Sequence, residues 1–437
     1  MPLTRRDFLK AGAFAALAPA TIRAADGKKA PSGRVRLGCI GVKNQGTNDI
    51  KGFLSKTNAA NCQIVALCDV DRDVLTKAKE FVEKDGKANV VTYGDYRKLL
   101  ENKDIDAVVI VTPDHWHSLQ TIHACMAGKD VYCEKPLTHT VAEGRAIVNA
   151  AKKYEAIVQT GSQQRSEYKG YFRTAAEIVR NGKLGKLTEV RVGLPAVNYD
   201  RNANYVPGAK DTTPPANLDY DFWLGSAPLR PYNVNRVHYN FRFFWDYAGG
   251  QFTNFGAHDL DIVQWALGMD ASGPVKVEMK SVEFNPSKAY DVSKTSHVVL
   301  TYADGTIVNV GQGNKDFAGG CTFIGEKGRI HVSRNKLEVE PNGLTKWRPA
   351  AGDVRLYEAE QGNHMANWLA CVKSRKAPIC EPEIGHRSAT VCHLCNIAIR
   401  TGRPIQWDPS TETIVGDKVA SAMLTKEYRK GYELPAV

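Results

Sequence analysis

The chain has 437 residues, 43% of them hydrophobic and 24% charged, with a formal net charge of +11. That length and apolar content support two domains with separate cores and exclude global disorder. The basic residues are scattered among acids and form no stripe interleaved with aromatics, which argues against a nucleic-acid-binding surface.

Residues 1–25 read as a targeting segment. Thr4-Arg5-Arg6-Asp7-Phe8-Leu9-Lys10 has the twin-arginine pattern, 11–20 is a short apolar run broken by Pro19, and Ala24 or Ala25 ends it. The run is too short to span a membrane. It predicts export to the periplasm by the twin-arginine machinery, a route for proteins that fold, often around a cofactor, before export. The ten cysteines sit mostly in apolar runs and read as buried free thiols. Cys392 and Cys395 have C-x-x-C spacing but lie in a helical run with no second such pair, so packing is favoured over metal or redox chemistry.

After a polar linker over 26–33, short apolar runs alternate with amphipathic ones. Strands are predicted over 35–40, 63–68, 90–93, 107–111, 130–133 and 157–160. Helices are predicted to about 54, over 74–84, to 100, over 118–127 and over 141–153. Continuous β-branched strands between helices mean a parallel sheet covered on both faces, a doubly wound α/β domain over 34–162. The pattern then changes. A helix over 167–180, a strand over 187–193 and a long aromatic loop over 199–247 precede a helix over 257–267. Strands follow over 275–284, 296–302, 307–311, 322–325 and 329–332, and closing helices over 362–373 and 385–400. Residues 163–437 therefore read as an α+β domain with an open, mostly antiparallel sheet.

Gly38 to Gly46 joins the first strand to the first helix. Gly41 and Gly46 permit a tight turn, and Lys43, Asn44 and Gln45 lie where a pyrophosphate meets a helix N-terminus. The G-x-G-x-x-G pattern is imperfect because Lys43 takes the middle glycine's place, and an ordinary strand-to-helix turn explains the motif almost as well. Asp69 ends the second strand, at the spacing of an acid that accepts from a ribose 2′-hydroxyl. It favours NAD over NADP, whose 2′-phosphate it would repel. Thr112, Pro113, His115 and His117 follow the fourth strand and Glu134-Lys135-Pro136 the fifth, at the edge where such sheets bind ligands. His115 and His117 lack an evident third metal ligand, and His258-Asp259-x-Asp261 points its acids apart on a helix. No metal is expected.

These features resemble the Gfo/Idh/MocA oxidoreductases, which include glucose-fructose oxidoreductase and inositol dehydrogenase. The resemblance covers nearly everything after the linker. It is carried by Glu134-Lys135-Pro136, the Thr112 to His117 segment, and Gly249-Gly250 leading to His258. The segments Asp221 to Pro228 and Phe241 to Tyr247 look like the exported branch. The resemblance implies that Lys135 is catalytic beside the nicotinamide and that an acid four residues before a histidine completes the site. Here those positions are Asn254 and His258, on one face of one helix. Asn254 departs from the usual aspartate, since an amide cannot neutralise an imidazolium. His258 is the expected general acid/base. Gln163 is expected at the cofactor, and Gln164, Arg165, Tyr199, Arg242 and Trp245 at a sugar or polyol substrate. Self-association through the open sheet is implied by analogy. The expected activity is oxidation of a secondary hydroxyl on a sugar, sugar derivative or cyclitol. The alternatives are an NAD-dependent glycosidase or lyase using transient oxidation, and a non-catalytic sugar-binding protein.

Overall fold

The computed structural model describes residues 31, 33–86, 88–359 and 362–437, so the expected signal over 1–25 lies outside the described residues. The first domain runs β1 (Val35–Ile40), α1 (Gln45–Phe53), β2 (Cys62–Cys68), α2 (Arg72–Gly86), β3 (Val91–Tyr93), α3 (Tyr96–Glu101), β4 (Ala107–Ile110), α4 (Asp114–Met126), β5 (Asp130–Cys133), α5 (Val141–Lys153) and β6 (Val158–Thr160). Every residue of β4 and β5 is buried, as in parallel strands covered on both faces. Helix starts follow local chemistry: Asp95 accepts from the Arg97 amide, and Thr140 from that of Glu143. The sheet order is β3-β2-β1-β4-β5-β6, the doubly wound order expected. It reverses between β1 and β4, so their carboxyl ends open a crevice.

The second domain contains α6 (Tyr171–Arg180), β7 (Leu187–Leu194), α7 (Tyr220–Leu224), α8 (Gly250–Asn254), α9 (Gly256–Leu267), β8 (Lys276–Phe284), β9 (Ser293–Thr301), β10 (Ile307–Gln312), β11 (Gly320–Gly325), β12 (Gly328–Val332) and β13 (Leu337–Glu340). It continues with α10 (His364–Ser374), α11 (Pro382–Thr401), β14 (Ile405–Asp408), β15 (Thr413–Ile414) and α12 (Lys418–Ala422). Nine strands form one sheet in the order β13-β12-β11-β7-β10-β9-β8-β14-β15. β7 and β10 pair in parallel and the other strand pairs are antiparallel. One face packs on Phe172 and Ile178 of α6, Leu260 and Val263 of α9, and Val391 and Leu394 of α11. Each such side chain, fully buried, contributes roughly 1.5–3 kcal/mol. All ten cysteines are buried, and Cys392 and Cys395 lie within α11. Among the described residues no helix is long and apolar enough to cross a membrane.

Several expectations need correction. The helix expected over 118–127 begins at Asp114, so the Thr112 to His117 stretch is mostly helix rather than loop. Pro113 (φ −59°) and an acid in the first turn suit a helix start there. The helix expected over 167–180 starts at Tyr171, because Lys169 (φ 58°) and Gly170 (φ 70°) turn the chain first. Asn254 and His258 are not on one uninterrupted helix: α8 stops at Asn254, and the His258 amide bonds back only three residues, to the Phe255 carbonyl. β13, β14 and β15 were not anticipated. The closing helix α10 buries its apolar side chains in the first domain, not the second. Trp368, Leu369 and Val372 join Val35, Ile64 and Tyr132 in the first domain's core. The 199–247 region is organised by its own aromatic clusters, around Tyr220, Trp223 and Tyr247 and around Tyr199, Phe243 and Tyr290. It docks on the carboxyl end of β2, where the Arg72 amide donates to Asn217 and that of Asp219 to Val70.

Candidate active site

A cleft of about 820 Å³ lies over the carboxyl ends of β1, β2, β4 and β5 and is roofed by the second domain. One end is built by the glycine turn. Gly41 adopts φ 81°, and a Cβ there would stand 2.7 Å from the Val111 carbonyl oxygen. A Cβ on Gly46 would collide with the Gly41 carbonyl. The backbone is thus packed too closely for side chains, leaving amides free to face a ligand at the start of α1. The Asp69 carboxylate holds this turn. It accepts from the amides of Val42 at 3.0 Å and Asp71 at 3.0 Å. Burial raises its pKa, and those two bonds oppose the shift. Lys43, Asn44 and Gln45 line the same end, and Gln45 donates to Asp49 at 2.8 Å. A pyrophosphate and a ribose diol fit this donor and acceptor set.

The other end holds Lys135 and His258. Lys135 follows β5. Its Nζ donates to the Asn254 carbonyl at 2.8 Å and to Asn254 Oδ1 at 3.0 Å. Burial pulls its pKa down to about 8, against the opposing pull of Glu134. Two of its three N–H donors are spoken for, which leaves one for a substrate. His258 lies in the first turn of α9, with its Nδ1 buried and unpartnered. Burial first, then the charges of Lys135 and Arg334, push its pKa well below the usual imidazole value. It is a neutral imidazole, able to take a proton. Asn254 therefore serves Lys135, not the imidazole as expected. Gln163 donates to Glu134 Oε1 at 2.6 Å, while Glu134 Oε2 accepts from the Lys135 amide at 3.3 Å, which orients the loop after β5.

Thr112, Pro113, His117 and Arg242 also line the cleft. The rings of His117 stand 2.7 Å from the Pro136 carbonyl and 2.8 Å from that of Thr112, tying the β4 and β5 loops together. Five expected residues lie elsewhere. His115 is buried against Trp223, whose carbonyl its Nε2 meets at 3.1 Å. Gln164 is buried and donates to Asp259. Arg165 is in a buried ion pair with Asp261. Tyr199 belongs to an aromatic core. The Trp245 ring lies against Arg400 and its carbonyl meets His139. His115 lies in the first turn of α4, where every residue is buried, and the other four lie in irregular chain, where no periodicity says which way a side chain points.

Asp114 and Arg334 are among the cleft-lining residues absent from the expected set. Asp114 opens α4. Burial raises its carboxyl pKa to about 7, against Lys135 and Arg242. It stood inside the quoted motif, so a buried acid in the first turn after β4 was a usable signal. Arg334 comes from the turn between β12 and β13. Nothing local in the sequence marks it.

The family model described as "Oxidoreductase family, NAD-binding Rossmann fold" matches residues 35–162. That described as "Oxidoreductase family, C-terminal alpha/beta domain" matches 171–434. A myo-inositol 2-dehydrogenase of Thermotoga maritima is 26% identical over 383 residues, 86% of this chain and 99% of that protein. A glycosyl hydrolase family 109 protein of Solibacter usitatus is 31% identical over 211 residues, 45% of this chain and only 46% of that protein. Among solved structures, the WlbA dehydrogenase of Bordetella pertussis, in complex with NADH and UDP-GlcNAcA, superposes with a TM-score of 0.62 at 18% identity, covering 86% of this chain and 99% of that one. The aldose-aldose oxidoreductase of Caulobacter crescentus, complexed with glycerol, gives 0.62 at 19% identity, with 85% and 99% covered. At these identities the superpositions show the shared fold.

Proposed function

The chain belongs to the Gfo/Idh/MocA oxidoreductase family, with its NAD-binding domain, and from that premise we propose that it oxidises a secondary hydroxyl of a sugar, sugar derivative or cyclitol. The observation that carries this reading is the convergence of an ammonium and a neutral imidazole, Lys135 and His258, at the end of the cleft away from the glycine turn. The bound nicotinamide would supply the acceptor for the hydride of the alcohol carbon. Lys135 donates a hydrogen bond to the reacting oxygen and stabilises the charge that develops on it. His258 takes the hydroxyl proton. Asn254 fixes the ammonium through two acceptors on one residue. Asp69 supports NAD over NADP, because its carboxylate stands where a ribose 2′-phosphate would bring two more negative charges. The twin-arginine pattern supports export of the loaded protein, which would then retain its nucleotide.

The second reading, redox-neutral cleavage of a glycoside, draws on the partial similarity to glycosyl hydrolase family 109 proteins. One experiment separates the two. The protein is incubated with NAD and a panel of sugars, cyclitols and glycosides, and both NADH and released alcohol are followed. Net NADH formation in proportion to oxidised product is the expected result. Bond cleavage with no NADH accumulating would replace the lead reading with the second.

The pH profile should carry the mark of Lys135. A group whose pKa is lowered to about 8 loses its proton there, so oxidation falls as pH rises through about 8. Asn254→Asp places a carboxylate where the amide oxygen now accepts at 3.0 Å. It stabilises the ammonium, and the alkaline limb should move to higher pH. Profiles of kcat for both proteins check the sign. An unmoved limb would mean that another group controls it.

A further inference from the structure

Arg334 and Arg242 both line the cleft that holds Lys135, whose pKa both guanidinium charges lower, and neither forms an ion pair among the described residues. Arg334 is exposed at its turn but not loosely held. Its Nε donates to Gln164 Oε1 at 3.1 Å, and its guanidinium lies 5.1 Å from the centre of the Tyr168 ring. Gln164 is itself pinned. It is 3% exposed, and its Nε2 donates to Asp259 Oδ1 at 3.2 Å and to the His258 carbonyl at 3.4 Å. Gln164 does not bind the substrate directly: it ties Arg334 to the backbone of the candidate base. The guanidinium is thus oriented through Nε, with its terminal nitrogens left to make a forked contact.

Arg242 comes from the turn over His238–Phe243. Its Nη1 donates to the Tyr239 carbonyl at 2.9 Å, and its guanidinium packs on the Tyr239 and Phe241 rings, each at 4.7 Å. Burial pulls its pKa below the usual guanidinium value. With Lys135 these make three cations around one volume. The acids near them, Asp114, Glu134, Glu167 and Asp259, all have carboxyl pKa values raised by burial. Arg242 and Lys135 are partly buried, and cations so placed without a full set of partners are costly. Neutral hydroxyls would satisfy their N–H groups but leave the charge uncompensated.

We propose that the substrate carries an anionic substituent, a carboxylate or a phosphate ester, gripped by Arg334 and Arg242. The inference deepens the dehydrogenase reading above and rests on it for the placement of the reacting hydroxyl beside Lys135 and His258.

The test is binding. Protein loaded with NAD is titrated calorimetrically with D-glucuronate, D-glucose 6-phosphate and D-glucose, as wild type and as Arg334→Gln. At least one anionic sugar should bind about 10-fold or more tightly than D-glucose, the scale of one charged hydrogen-bonded contact. That advantage should shrink with added salt. Preference for glucuronate alone identifies a carboxylate, and preference for glucose 6-phosphate alone a phosphate ester. Arg334→Gln should erase the ratio and leave NAD affinity unchanged, which also reports that the variant is folded. Equal affinity for all three sugars, no binding of either anion, or a preference that survives Arg334→Gln overturns the proposal. Anion preference without NADH formation from any sugar would instead remove the dehydrogenase reading.

Discussion

Lys135→Ala should lower turnover by about 10²–10⁴-fold, the range for a positioned acid or base, and His258→Ala should do the same. The two groups share one oxygen. Lys135 contributes the N–H that Asn254 leaves free, and His258 an unpartnered ring nitrogen on an imidazole that burial keeps neutral. Removing either leaves the hydroxyl without half of its grip. The double variant should therefore be little worse than the poorer single one, because groups acting as a unit are non-additive. NAD binding should survive in all three, since the glycine turn and Asp69 lie at the other end of the cleft. Single-turnover kinetics with a substrate found by the NADH assay, alongside NAD titration, measure both. Near-normal turnover in His258→Ala would return that histidine to a packing role.

Arg165→Ala should destabilise the fold by about 3–5 kcal/mol, with little bearing on ligand affinity in the molecules that remain folded. Arg165 was expected at the substrate, and its surroundings explain the different forecast. Its Nε donates to Asp261 Oδ2 at 2.8 Å, and its Nη2 donates to Asp261 Oδ1 at 2.8 Å and to Asp270 at 2.7 Å. The Arg165 and Asp261 side chains are 1% and 0% exposed. The guanidinium also lies 5.0 Å from the Trp265 ring centre, and Ser388 donates to Asp261 at 2.6 Å. Deleting the arginine strands a buried carboxylate, which costs far more than the pair contributes. Arg165→Met with Asp261→Leu should recover part of the loss, because it removes both charges together. Urea unfolding of the wild type and both variants gives the comparison. An unchanged midpoint in Arg165→Ala, with a raised KM, would restore the substrate role.

The first domain was readable along the chain because its information is local. The central strands β2 and β4 are apolar-rich runs, and α3 and α5 start at their own capping residues, Asp95 and Thr140. The strand-to-helix turns place Gly41, Asp69 and Lys135 at carboxyl ends that the doubly wound order must gather at one edge. The family pattern likewise reached Lys135 and His258 through short spacings. What lay beyond reach were choices settled by remote partners. Side chains that leave a strand into a loop have no periodicity, so whether they face a cleft or a core depends on what another segment offers. Trp223 takes His115, Asp261 takes Arg165, and the Tyr290 cluster takes Tyr199. The same logic runs in the opposite direction for Arg334. It reaches the cleft only because β12 and β13 end over Gln164, a contact between residues 170 positions apart. Likewise α10, amphipathic by sequence, had two hydrophobic faces to choose from. It packs on the first domain because Trp368 fills the space beside Phe53 and Tyr132, a volume defined only once the parallel sheet has formed.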